Sequence, residues 1–141
     1  DKEQRVQIRG LFKEFIKQPT YNMKKPWAIS LFDDNAGVVR FREGIDICIK
    51  VETHNSPSAL DPYGGALTGI LGVNRDIMGT GLGAKPVANT DVFCVGMPDE
   101  AELPNNLLHP KEILRGIHRG VMDGGNKSGI PTVNGTIYFD E

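Results

Sequence analysis

Apolar positions along the chain follow two rhythms, one of three to four residues and one of two. Ile8, Leu11, Phe12, Phe15 and Ile16 recur at helical spacing, with Lys13, Glu14 and Lys17 on the other side. This predicts an amphipathic helix over 3–17, ended by Pro19. Residues 27–32 and 38–41 are short apolar runs separated by the turn-forming stretch Asp33-Asp34-Asn35-Ala36-Gly37, and each predicts a strand. The two-residue rhythm is clearest over 45–52, where Ile45, Ile47, Ile49 and Val51 alternate with Asp46, Cys48, Lys50 and Glu52.

Beyond a proline-bearing loop at Asn55-Ser56-Pro57-Ser58 the rhythm lengthens again. Leu67, Ile70, Leu71, Asn74 and Met78 predict a helix over 65–78. Gly69 and Gly72 lie inside it, each costing about 1 kcal/mol relative to Ala. Their presence points to close approach by another backbone or a ligand. A glycine loop (79–83), a strand (86–97) and a polar loop (98–109) follow. A second helix is predicted over 110–123, with the stripe Ile113, Leu114, Ile117 and Val121 and a cap at Gly124-Gly125. A last strand is predicted over 131–139. Strands and helices mix without strict alternation, so the expected fold is α+β, a mixed or antiparallel sheet with helices on one face. At 141 residues the chain supports a single domain, spanning 1–141.

Composition narrows the function classes. The net charge of −2 lacks the basic excess of a general nucleic-acid binder, so no nucleic-acid partner is expected. No apolar run approaches the roughly 18 residues that cross a bilayer, so no membrane is expected either. Two distant cysteines, Cys48 and Cys94, suggest a reducing, cytoplasmic compartment. The unusual component is glycine, at 17 residues, where average usage of about 7% would give roughly ten.

Three groups of residues are candidates for chemistry. Lys50, Glu52 and His54 share parity, so an extended backbone would aim them at one face. A cation, a carboxylate and an imidazole suit phosphate, metal and proton handling. The alternative is the solvated side of an edge strand. Arg75 and Asp76 lie near the end of the predicted glycine-bearing helix, where an acidic residue is poorly placed for the helix dipole. A bound cation would account for it, as would a surface Arg–Asp pair. The run Gly79-Thr80-Gly81-Leu82-Gly83-Ala84-Lys85-Pro86 fails the phosphate-loop pattern, because Pro86 stands where Ser or Thr is required. His109, ahead of Pro110, reads as a surface or capping residue, and His118 as a helix flank.

The string KVETHNSPSALDPYGGALTGILGVNRDIMGTGLGAKPVANTDVF, residues 50–93, is more specific than any of these. It resembles the phosphoribosylformylglycinamidine synthases, ATP-dependent amidotransferases of purine biosynthesis. DNAGVVRF (34–41), LLHPKEI (107–113) and GGNKSGIPTVNGTIYFD (124–140) resemble the same family. The resemblance implies a domain like the N-terminal domain of aminoimidazole ribonucleotide synthetase, pairing into a barrel-like homodimer. It also implies a ligase that uses ATP and Mg2+ to convert formylglycinamide ribonucleotide to formylglycinamidine ribonucleotide, with ammonia supplied by a glutaminase domain or subunit. Carried over by position, it makes Lys50 an ATP contact, and Glu52 and Asp76 magnesium ligands. Thr53, His54, Asn55, Ser56 and Arg75 become substrate contacts, with His54 the proton acceptor. Ser56 stands where many members have a second histidine. The chain is then expected to be a piece of a longer polypeptide, inactive by itself. The alternative is a non-catalytic nucleotide-binding or dimerisation module of the same superfamily.

Overall fold

The structure is a computed structural model and describes residues 7–140. Two compact units divide the chain, one ending at Ile49 and the other beginning at Lys50.

The first unit opens with a π-helical turn, Phe12–Lys17, that continues as α1, Gln18–Asn22. Of the helix predicted over 3–17, residues 3–6 lie outside the described residues and residues 7–10 are not helical, so the helix starts later than expected. Pro19 does not end the helix, contrary to expectation. It lies inside the continuous helical run, at the junction of the π turn with α1. The wider π turn before it relieves the clash between a proline ring and the carbonyl four residues back. Three strands follow: β1 (Ala28–Ser30), β2 (Gly37–Arg42) and β3 (Ile45–Ile49). They form an antiparallel sheet in the order β1-β2-β3. Gly44, at φ +74°, supplies the left-handed residue of the β2–β3 turn. Arg40 and Asp46 face each other across the ladder, with Nε 3.1 Å from Oδ1. Strand β3 stops at Ile49, three residues before the predicted end.

In the second unit α2 (Asn55–Leu60) and α3 (Pro62–Met78) are joined at Asp61. Then come β4 (Asn89–Gly96), α4 (Pro110–Ser128) and β5 (Thr132–Asp140). The expected loop at Asn55-Ser56-Pro57-Ser58 is instead the start of α2. Pro57 falls in its first turn, where its ring and missing N–H are tolerated. Asp61 caps α3 by accepting from the Gly64 N–H at 3.0 Å. His109 caps α4, its Nδ1 accepting from the Lys111 N–H at 3.1 Å, which agrees with the capping role expected of it. The expected stop at Gly124-Gly125 is wrong. The helix runs on to Ser128 and ends at Gly129, whose φ of +70° makes the left-handed cap. Gly124 instead serves packing.

The core of this unit lies between α3 and α4. Ala66, Ile70 and Ile117 are buried. Gly116, Gly120 and Gly124 form an i, i+4 stripe that lets α4 press against Pro62, Tyr63, Ala66, Leu67 and Ile70. A Cβ at Gly120 would stand 2.5 Å from the Tyr63 carbonyl oxygen. Strands β4 and β5 pair in parallel across α4. One set of β4 residues, Asn89, Asp91, Phe93 and Val95, is half-buried, while the alternate set is exposed. The fold is α+β as expected, with an antiparallel three-stranded sheet and a parallel pair. The described strands close no barrel.

Candidate functional site

The segment Lys50 to Ser58 runs antiparallel to α3, along one stripe of that helix. Gly65, Gly69, Gly72 and Asp76 share this side, at spacings of four, three and four residues. Four successive contacts define the run. The backbone of Pro57 and Ser58 would lie 2.5–2.6 Å from a Cβ at Gly65. His54 Cβ would lie 3.1 Å from a Cβ at Gly69, and Glu52 Oε2 3.4 Å from one at Gly72. At the end, Lys50 Nζ makes an ion pair with Asp76 Oδ2 at 2.8 Å. Only hydrogen fits at Gly65, a Cβ at Gly69 would crowd His54, and at Gly72 the contact is of ordinary van der Waals length. At Gly69 and Gly72 the neighbours are, in place of the expected backbone or ligand, the side chains of His54 and Glu52, close only at Gly69; backbone approaches at Gly65.

The alignment of Lys50, Glu52 and His54 has a different origin from the one expected. These residues follow β3 and are not in a strand. Their shared direction comes from lying against α3. Asp76 pairs with Lys50, and its position near the helix C-terminus is thereby compensated by a cation. The hydrogen bond to Asp76 raises the Lys50 pKa above its ordinary 10.5, because it favours the charged ammonium. Side chains of the pair retain 25% and 21% of their accessible surface, so an incoming ligand can reach both.

His54 precedes α2 as its N-cap residue without capping through its side chain. Its Nδ1 is buried and has no hydrogen-bond partner among the described residues. Thr53, Asn55 and Ser56 are exposed around it. Arg75 is exposed on α3, beside Asp76 in sequence but turned about 100° around the helix. Asn74, expected on the helical stripe with Leu67 and Ile70, is 4% exposed with Nδ2 lacking a partner among the described residues. Helical period places it opposite the glycine stripe.

Glu52 and Asp76 suit Mg2+ by donor chemistry. Both offer hard oxygen ligands, Asp76 from α3 and Glu52 from the segment that lies against the same side of it. No cluster of three or more His, Cys, Asp or Glu side chains forms a metal cage among the described residues. Mg2+ bound with nucleotide needs no such cage, since it takes one or two carboxylates and completes its shell with phosphate oxygens and water.

A cleft of about 860 Å³ lies elsewhere, between α4 and the β4–β5 pair, lined by residues such as Phe93, His118, Met122 and Ile137. Its lining is mainly apolar and includes none of the residues to which the sequence resemblance gives a role. We place the candidate site along α3, where the charged groups converge. The glycine loop after α3 turns sharply at Gly81 (φ +57°) and Gly83 (φ +103°), in keeping with a turn. No helix among the described residues is long and apolar enough to cross a membrane.

Comparisons with known proteins agree on one family. Residues 33–141 match the family described as AIR synthase related protein, N-terminal domain. The phosphoribosylformylglycinamidine synthase subunit PurL of Picrophilus torridus is 40% identical over 129 residues, covering 92% of this chain and 17% of that protein. The subunit of the same name from Thermus thermophilus is 44% identical over 108 residues, covering 77% of this chain and 14% of that protein. The solved structure of T. maritima PurL complexed with ADP matches with a TM-score of 0.56 and 31% identity. The match covers 81% of this chain and 17% of that one. The chain thus spans about a sixth of the length of these relatives.

Proposed function

Because the chain belongs to the family of AIR synthase related protein N-terminal domains, we propose that it supplies the Mg2+-ATP and substrate-binding part of a formylglycinamide ribonucleotide amidotransferase. The observation that carries this reading is the run of Lys50, Glu52, His54 and Asp76 along the glycine stripe of α3. The ADP held by the similar T. maritima PurL structure supports a nucleotide as one ligand.

In this reading Lys50 leaves Asp76 for a nucleotide phosphate, which offers it a denser negative charge. Glu52 and Asp76 hold Mg2+, which when bound neutralises phosphate charge. Arg75 and the exposed Thr53, Asn55 and Ser56 bind the ribonucleotide. The substrate amide oxygen takes the γ-phosphoryl group of ATP and ADP leaves. Ammonia then adds to the activated carbon, phosphate departs, and His54 accepts a proton from the added nitrogen. Ammonia comes from a glutaminase domain or subunit, and the setting is cytoplasmic. By this reading the segment does not turn over by itself.

We also propose a homodimer. The isoleucines of β3 and all of β5, including Val133, Ile137, Tyr138 and Phe139, are exposed. Exposed apolar strands of this length seek a partner. A strict monomer in sedimentation at high concentration contradicts pairing.

Calorimetry on the full-length protein tests the binding reading. Mg2+-dependent binding of both ATP and formylglycinamide ribonucleotide is expected. Binding of nucleotide alone favours a non-catalytic module of the same superfamily.

A further inference from the structure

We propose that Gly69 is a positioning residue for His54, an inference that rests on the role given to His54 above. The three glycines of the α3 stripe face different kinds of neighbour. At Gly65 the neighbour is backbone, 2.5–2.6 Å from where a Cβ would stand. At Gly72 it is the far end of the Glu52 side chain, at 3.4 Å, an ordinary van der Waals distance that rotation can lengthen. Gly69 stands between these cases. A Cβ there would lie 3.1 Å from His54 Cβ, 3.2 Å from Cγ and 3.7 Å from Nδ1.

The His54 Cβ is fixed by its backbone, so no rotamer change relieves that contact. The segment must lift from α3 by a few tenths of an ångström, and the imidazole moves with it. Among the described residues the ring has no hydrogen bond at Nδ1 to restore its direction. Its orientation is set by packing, and the bare Cα of Gly69 is part of that seat. A group that moves a proton in a transition state is sensitive to displacements of this size.

The test uses the full-length protein and the variants Gly69→Ala, Gly72→Ala and His54→Asn. Turnover with ATP, ammonia and formylglycinamide ribonucleotide is read beside NMR of isotope-labelled histidine, the His54 ring signal being the one lost in His54→Asn. Gly69→Ala is expected to shift that signal and lower kcat about tenfold, while KM for ATP changes by less than about twofold. Gly72→Ala leaves the ring signal in place. A folded Gly69→Ala protein with unchanged kcat and an unshifted ring signal overturns the proposal. If His54→Asn keeps full turnover, the role of His54 in the reaction fails. The ring signal then decides the positioning by itself, a shift supporting it and none overturning it. If Gly69→Ala does not fold, the double variant His54→Gly with Gly69→Ala removes the clashing Cβ and is expected to fold again. Absence of that rescue overturns the proposal.

Discussion

Lys50 Nζ lies 2.8 Å from Asp76 Oδ2, joining the residue that follows β3 to the last turn of α3, 26 positions along the chain. Each charge is the other's partner. Both belong to the proposed nucleotide and metal site, so binding has to exchange this ion pair for contacts with phosphate and cation.

Lys50→Met is expected to abolish nucleotide binding by calorimetry while costing less than about 1 kcal/mol of stability, since the pair is partly solvated. Its pH dependence has a definite sign. The folded-state pKa of Lys50 is raised above 10.5, so its contribution is complete below that value and lost as pH rises through the folded value. The stability difference between wild type and Lys50→Met in urea titrations is therefore flat from about pH 7 to about 9.5 and shrinks above about 10.5. A difference that grows with alkalinity contradicts the pairing.

Asp76→Asn keeps the size of the side chain and removes its charge. Mg2+-dependent nucleotide affinity is expected to fall at least about tenfold, with chelation of Mg2+ reducing wild type to the same level. Equal affinity of the variant and wild type in Mg2+ rules out Asp76 as a ligand.

Gly120→Ala tests the α3–α4 interface without touching the site. Its Cβ would stand 2.5 Å from the Tyr63 carbonyl oxygen and 2.9 Å from Ala66 Cβ, neighbours that cannot rotate away. Destabilisation of about 1–3 kcal/mol is expected in urea unfolding, from overpacking. A neutral effect means that the helices are not this close.

Much of this arrangement is legible in the amino-acid sequence. The alternation at Ile45, Ile47 and Ile49 marks β3, and the spacing of Leu67, Ile70 and Asn74 marks α3, because both periods follow directly from backbone geometry. The interior glycines Gly69 and Gly72 signal close approach. Periodicity does not tell what approaches, because that depends on how Glu52 and His54 fold back on the helix. Pro57 misleads because proline breaks a helix interior but is accommodated in a first turn, and Pro19 because the π turn before it makes room for its ring. Gly124 misleads because a glycine that caps and a glycine that packs look alike in one dimension. Its place in the stripe Gly116, Gly120 and Gly124 is the signal for packing.

Asp61→Ala removes the carboxylate that caps α3 at the Gly64 N–H. About 1 kcal/mol of stability is expected to be lost in urea unfolding. The cap also fixes where α3 begins relative to α2. An unchanged unfolding midpoint shows that the cap does not hold the helix start.

The most direct measurement is the initial rate at which the full-length protein and its His54→Ala variant form formylglycinamidine ribonucleotide from substrate, Mg2+-ATP and ammonia, read beside their melting temperatures. A loss of about 100- to 10,000-fold in rate with an unchanged melting temperature is predicted. Turnover at the wild-type rate contradicts the account.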